Sequence, residues 1–345
     1  MLCWGIAAAA MMYVDTPPQF YAARLLLGVF EAGFFPGVIL YLTYWYPSAR
    51  RGQVIAIFMT ATTIVGCVAG PLSGALLKYM NGVGGMHGWQ WLFVVQGLPA
   101  SVLGVLIYLL LQDHPNDANW LTQSEKNLLR HHLEHDENGI EGRDEPSVLH
   151  ALRDPKIYIF ALVYFLSLGA TYALAFWVPT LIQSWGVKDV MLIGIYAAIP
   201  NAVAVVGMVL VARNSDKHHE RRWHFAISAA VAAIGMFATT LLQGNLAGSI
   251  IALSIASIGT ASLTPLFFTL VSEYLSVTSA AGGIALISSL GNLGPMVSPS
   301  ITGLIRQQTG SATYAMYLVV AMYVVAGALL LSTVRAVKAA RRGAS

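Results

Sequence analysis

The chain alternates long apolar runs with short polar breaks, and most runs hold no charged residue over a span that could cross a bilayer. Ten runs can be drawn, at roughly 1–14, 20–45, 53–78, 90–111, 157–185, 190–212, 224–243, 248–271, 279–305 and 313–334. A membrane-spanning helix needs about 20 apolar residues, so all but the short first run reach that length. One long polar stretch, about 112–155, separates four runs from six. Inside it, Leu121-Thr-Gln-Ser-Glu-Lys-Asn-Leu-Leu129 pairs a capping box with an amphipathic pattern, which predicts a surface helix. The pattern predicts an all-α membrane protein: a first helix bundle over 1–111, a linker over 112–155 expected in the cytoplasm, and a six-helix bundle over 156–345.

Composition agrees with that pattern. Hydrophobic residues make up 57 % of the chain and charged ones 10 %, against about 25 % charged in a soluble domain. The net charge of +3 is too small to suggest nucleic acid as a partner. Cys3 and Cys67 both sit in apolar runs, so no disulfide framework or metal spacing can be drawn. The first ten residues lack a basic n-region and read as the end of a membrane helix rather than a signal peptide. The distribution of charge matters more than its sum. With the 112–155 linker placed in the cytoplasm and sides alternating from there, 15 of the 19 Lys and Arg fall on the cytoplasmic side. Only Arg24, Lys78, Lys188 and Arg306 lie towards the other. This obeys the positive-inside rule and predicts a multi-pass protein of the cell membrane with a cytoplasmic C-terminus.

The second run holds the most informative chemistry. Arg24 and Glu31 are seven residues apart, so they share one helix face with Gly28 and Phe35. Gly33 and Gly37 fall on roughly the opposite face at a small-xxx-small spacing that lets helices approach closely. Glu31 lies about 16 Å along the helix from Phe20, near the midplane of a core about 30 Å thick. A carboxylate there costs about 2.5–3.5 kcal/mol on insertion scales, so it should face a cavity or a partner. Burial favours its neutral form and a nearby guanidinium its charged form, which suits a proton-coupling role for Glu31 with Arg24. The bland alternative is an ion pair that only pins the helix.

Elsewhere, Asn292 follows Ser288 by one turn in a Gly/Pro-rich run and could recognise carboxylate or hydroxyl groups. Interhelical hydrogen bonding is the competing role. Tyr172 and Trp177 could line a cavity, although membrane aromatics commonly just pack or anchor. Asn201, after Pro200, is a similar candidate. Gly66-Cys-Val-Ala-Gly-Pro-Leu-Ser-Gly74 and Gly291-Asn-Leu-Gly-Pro295 are each second from last in their half, an internal echo of the kind found in transporters built from repeats. Matching halves would put six helices in the first, with two preceding Met1. Gly82-Val-Gly-Gly-Met-His87 lacks the third glycine of a dinucleotide loop, and no strand precedes it. His131, His132 and His135 do not form His-Glu-x-x-His, and no P-loop or Gly-x-Ser-x-Gly occurs. No enzyme chemistry and no cofactor is therefore expected.

Asp216-Lys-His-His-Glu-Arg-Arg222 resembles the acidic-basic loop of the major facilitator superfamily, with Ala212 where a glycine usually stands. Arg24-x-x-x-Gly28 resembles that superfamily's fourth-helix motif. The stretch from Arg24 to Pro47, Trp120-Leu-Thr122, Phe176-Trp-Val-Pro-Thr180 and Gly282–Gly294 are similar to the anion:cation symporter family, nearest its tartrate-type permeases. Gly66–Gly74 also resembles a helix-five signature of exporters. The family resemblance implies a major facilitator fold of two bundles, with about ten of twelve transmembrane helices in this chain. It implies proton-coupled uptake of a small organic anion by rocking of the bundles about a midplane site. On that resemblance Glu31 and Arg24 would couple protons. Asn292 would contact substrate on the same ground, and Ser288, Tyr172, Trp177 and Asn201 join it as substrate-binding candidates on the residue reading above. Asp216, Lys217, Arg221 and Arg222 would form a conformational loop. Partners would be a small carboxylate, protons and the lipid bilayer, with a monomer expected. An exporter on the same fold is the alternative; a membrane-embedded sensor or enzyme is a second.

Overall fold

The computed structural model describes residues 1–46, 48–138, 154–218, 220–274 and 277–343. It is built of helices: α1 (Leu2–Ala10), α2 (Pro17–Glu31), α3 (Phe34–Trp45), α4 (Ser48–Tyr79), α5 (Gly88–Leu110), α6 (Gln123–Asn138), α7 (Pro155–Ser184), α8 (Val190–His218), α9 (Arg222–Leu241), α10 (Leu246–Tyr274), α11 (Val277–Gly291), α12 (Leu293–Thr309) and α13 (Ala312–Gly343). Among the described residues, seven helical stretches are long and apolar enough to span a membrane: the whole of α5, α7, α8 and α9, then Leu246–Ser272, Gly283–Thr309 and Ala312–Thr333. The predicted run 20–45 is not a single helix. Its hydrogen bonding lapses between Glu31 and Phe34, where Pro36 has no N–H to give the carbonyl of Ala32, while Ala32 and Gly33 keep right-handed helical backbone angles. Pro295 likewise offers nothing to the carbonyl of Gly291, so α11 and α12 are divided at Asn292 by a missing hydrogen bond while the helical backbone runs on through Gly283–Thr309.

Local sequence sets the helix starts. Pro17 and Pro18 open α2, with Gln19 Oε1 accepting from the Thr16 N–H at 3.2 Å and the Asp15 N–H at 3.0 Å. Asp154 caps α7 by accepting from the Lys156 N–H at 2.9 Å. The predicted capping box of α6 is present: the Glu125 carboxylate accepts from the Thr122 N–H at 2.9 Å and the Thr122 hydroxyl at 2.7 Å. These bonds, the hydroxyl's first, hold the Glu125 carboxyl below its usual range. The glycine-rich 82–85 segment is the turn between α4 and α5. Gly82, Gly84 and Gly85 take φ of +86°, +64° and +76°, a left-handed geometry that side-chain-bearing residues rarely adopt.

The described chain forms two compact units. The first holds Met1–Val65 and Leu72–Arg143; the second holds Gly66–Pro71 and Asp144–Ser345. In the first, α1 packs on α5, where the Ser101 hydroxyl donates to the Leu2 carbonyl at 3.1 Å. Helix α5 leaves Val102, Tyr108 and Leu110 exposed, as a surface against lipid tails would require. In the second unit α7 is the hub, touching α8, α10, α11, α12 and α13. Its core is aromatic at one end: Tyr164 stacks on Phe267 at 5.2 Å, and Phe160 meets Tyr274 edge-on at 5.1 Å. Further along, Gly294, Ser298 and Thr302 make a buried i, i+4, i+8 stripe on α12. A Cβ at Gly294 would run into the Phe165 carbonyl, so only glycine lets α12 come this close to α7.

Candidate functional site

Both helix breaks fall at residues that the sequence singled out. Glu31 is the last residue of α2 and stands exposed on the first unit. Arg24 lies two turns earlier on the same helix, also exposed. The Arg24 guanidinium carbon sits 5.2 Å from the Phe20 ring centroid, a cation–π contact. Among the described residues no ion pair joins Arg24 to Glu31, so each head group is presented separately. On the second unit Asn292 is the exposed residue between α11 and α12. Its side-chain amide donates to the Ser288 carbonyl at 2.8 Å, the same oxygen that accepts from the Asn292 backbone N–H at 2.9 Å. Asn292 and Ser288 are thus linked within one helix through the serine's backbone carbonyl.

The remaining candidates separate into different surroundings. Tyr172 is exposed on α7. Trp177 is engaged with α12: its indole N–H donates to the Thr302 hydroxyl at 2.8 Å, and the Arg306 guanidinium carbon lies 4.8 Å from its ring. Asn201 lines a cavity of about 260 Å³ within the second unit, together with Thr171, Leu174, Val178, Pro179, Ser257 and Thr260. Asn292, Ser288, Tyr172 and Trp177 are not on that wall. Thr171, Ser257 and Thr260 escaped the sequence reading. A hydroxyl in an apolar helix usually bonds back to its own helix, and no spacing marks one that also faces a cavity.

The loop between α8 and α9 forms a dense polar knot. Arg221 pairs with Asp216, and its guanidinium also donates to the buried Ser215 hydroxyl at 2.8 Å. That hydroxyl donates to the Glu220 carbonyl at 2.6 Å. The Glu220 carboxylate caps α9, accepting from the Trp223 N–H at 2.8 Å and the His224 N–H at 3.2 Å, with the His224 ring nitrogen at 3.1 Å. Partial burial pulls the Glu220 carboxyl upward, but the bonds from Trp223 and His224 and the His224 charge outweigh it and leave it below its usual value. Arg222 reaches α13 and donates to the Leu331 carbonyl at 2.7 Å. Lys217 is exposed at the end of α8. His219 of this segment lies outside the described residues.

The sequence model of the Major Facilitator Superfamily matches residues 1–287. The chain belongs to the major facilitator superfamily. A protein of Agrobacterium vitis named "Putative tartrate transporter" is 40 % identical over 332 residues, covering 96 % of this chain and 76 % of that protein. A "Quinolone resistance transporter" of Acinetobacter baumannii is 37 % identical over 317 residues, covering 92 % of this chain and 73 % of that one. A solved bacterial homologue of the human lysosomal transporter Spinster superposes with a TM-score of 0.74 at 20 % identity. That match covers 96 % of this chain and 81 % of the other, and shows the shared fold. This superfamily member is thus a multi-pass membrane transporter, not an enzyme.

Proposed function

We propose that the chain takes up a small organic anion, tartrate-like, a sugar acid or an aromatic carboxylate, together with protons. The observation that carries this reading is Glu31, an exposed carboxylate at the end of the helix that also carries Arg24, in an apolar run that the sequence places within the membrane. Intramembrane ionisable groups mark ion pathways and proton relays. A carboxyl that gains or loses a neighbouring cation changes its affinity for a proton, which is what coupling demands. Arg24 supplies a guanidinium suited to a carboxylate, since its fork of donors matches two oxygens. The tartrate-named relative supports the substrate class. The second-unit cavity, at about 260 Å³, falls just below the roughly 300–1,000 Å³ of drug-sized sites and supports a small solute. The reading includes the cell membrane as location, a cytoplasmic C-terminus and a monomeric unit.

One observation favours a second reading, export: the relative named for quinolone resistance. Vesicles separate the two. With an inward proton gradient imposed on proteoliposomes, labelled tartrate should accumulate and a protonophore should abolish accumulation. Glu31→Gln should lose proton-driven accumulation yet keep tartrate counterflow, because exchange needs no net proton movement. Undiminished accumulation by the variant would remove Glu31 from coupling. Gradient-driven movement of a quinolone, with none of tartrate in either direction, would replace import by export.

A further inference from the structure

The cavity of the second unit can be read proton by proton. Its polar lining is Thr171, Asn201, Ser257 and Thr260, and no described lining residue is charged. A hydroxyl has one proton and two lone pairs. Thr171 gives its proton to the Ser167 carbonyl at 2.8 Å, and Thr260 gives its own to the Ala256 carbonyl at 2.7 Å. The fully buried Tyr323 hydroxyl lies 3.3 Å from the Thr171 oxygen and 3.4 Å from the Thr260 oxygen. With both threonine protons committed, the phenol is the donor, and its single proton cannot saturate both oxygens. Asn201 is committed in the same way: its amide nitrogen donates to the Gly66 carbonyl and to the Ala197 carbonyl, each at 3.1 Å. Two carbonyls on one side fix which end of the amide is nitrogen and leave its oxygen as an acceptor. Three of the four polar lining groups therefore offer lone pairs only; Ser257 alone brings a hydroxyl that can either give or accept.

We infer that this cavity binds the alcohol hydroxyls of the transported molecule and turns its carboxylates away. The inference rests on the organic-anion reading above and narrows it to hydroxy acids. A carboxylate is itself acceptor-only, so against these oxygens it would be desolvated without compensation. An alcohol supplies the missing donors. Thr171, Thr260 and Asn201 then set specificity: an analogue lacking hydroxyls covers their lone pairs without supplying a donor, the arrangement that rejects such analogues most strongly. This separates hydroxylated dicarboxylates from bare ones of equal length.

The test is a competition series in proteoliposomes carrying the full chain, with counterflow of labelled tartrate as readout. Tartrate, malate and succinate share a four-carbon dicarboxylate frame and carry two, one and no hydroxyls. The concentration for half inhibition should rise about ten-fold for each hydroxyl removed. Thr171→Val and Thr260→Val should flatten the series, raising the value for tartrate more than that for succinate. The series on the unaltered chain decides the matter even if a variant fails to fold. Equal inhibition by tartrate and succinate would overturn the hydroxyl inference while leaving the organic-anion reading standing. If none of the three acids is exchanged or changes the intrinsic tryptophan fluorescence, the hydroxyl inference falls with tartrate as a cargo, and the organic-anion reading falls too only if sugar acids and aromatic carboxylates fail in the same assay.

Discussion

At the scale of single residues, the α8–α9 turn shows how a charged signature is built into a fold. Glu220 gives α9 its N-terminal cap and draws His224 onto the same carboxylate. Its carboxyl is held below its ordinary value of 4.5. A group so depressed stabilises the fold fully above that ordinary value, and the contribution fades as pH falls through the lower, folded value. Hydrogen exchange at the Trp223 and His224 amides, corrected for intrinsic rates, should therefore stay level from pH 7 to about 5 and accelerate only below about 4.5. Glu220→Gln should raise exchange at both amides about ten-fold at neutral pH, since a charge-assisted cap is lost. Unchanged exchange in the variant would mean that the carboxylate does not hold the turn. Asp216, Arg221 and Arg222 were marked in the sequence by their resemblance to the superfamily's acidic-basic loop. The part played by Ser215 was not: it is one small hydroxyl whose value depends on residues five and six positions later folding back over it. Trp177 is a similar case. Its aromatic character drew notice, but Thr302 and Arg306, 125 and 129 residues downstream, decide what it does.

At the scale of elements, prolines and glycines set the outcome. The apolar runs were plain in the sequence, yet hydropathy is blind to a missing N–H, so the interruptions after Glu31 and at Asn292 do not register in it. Pro36 and Pro295 were the available signals. They fall four residues after the carbonyls they leave unserved, but Pro71, Pro99, Pro179, Pro200, Pro265 and Pro299 sit inside continuous helices, so a proline alone does not tell where an interruption falls. Packing of α12 on α7 depends in the same way on one absent methyl group. Ser298 donates to the Gly169 carbonyl at 2.6 Å, a reach possible only while Gly294 keeps the two backbones together. Gly294→Ala should destabilise the second unit by about 1–3 kcal/mol, as overpacking does. Thermal unfolding in detergent would show a fall of several degrees; an unchanged midpoint would mean that α12 can retreat from α7 without cost.

At the scale of the whole molecule, lipid and charge govern what can be read. A bilayer demands long apolar helices, and these are written in composition and hydropathy, so the all-helical class emerges early, while the superfamily resemblance rests on particular motifs such as Arg24–Pro47 and Asp216–Arg222. Cavities are not written there, because their walls come from helices distant in sequence. The orientation implied by the basic residues can be measured directly. In a variant whose Cys3 and Cys67 are replaced, Lys188→Cys should react with a membrane-impermeant maleimide from outside intact cells. Lys217→Cys should react only after permeabilisation. The reverse pattern would invert the topology.

The first unit also carries a tool for watching such a transporter work. Trp45, at the end of α3, lies face to face with Trp120 in the segment after α5, with ring centroids 5.8 Å apart and planes only 7° from parallel. Two indoles held so close couple their strong far-ultraviolet transitions, so an exciton couplet lost in Trp45→Phe and in Trp120→Phe is the expected optical signature of this pair. Loss of that couplet when substrate is added would report, without any added label, that the two rings had parted; an unchanged couplet would mean that α3 and the segment leading to α6 stay together.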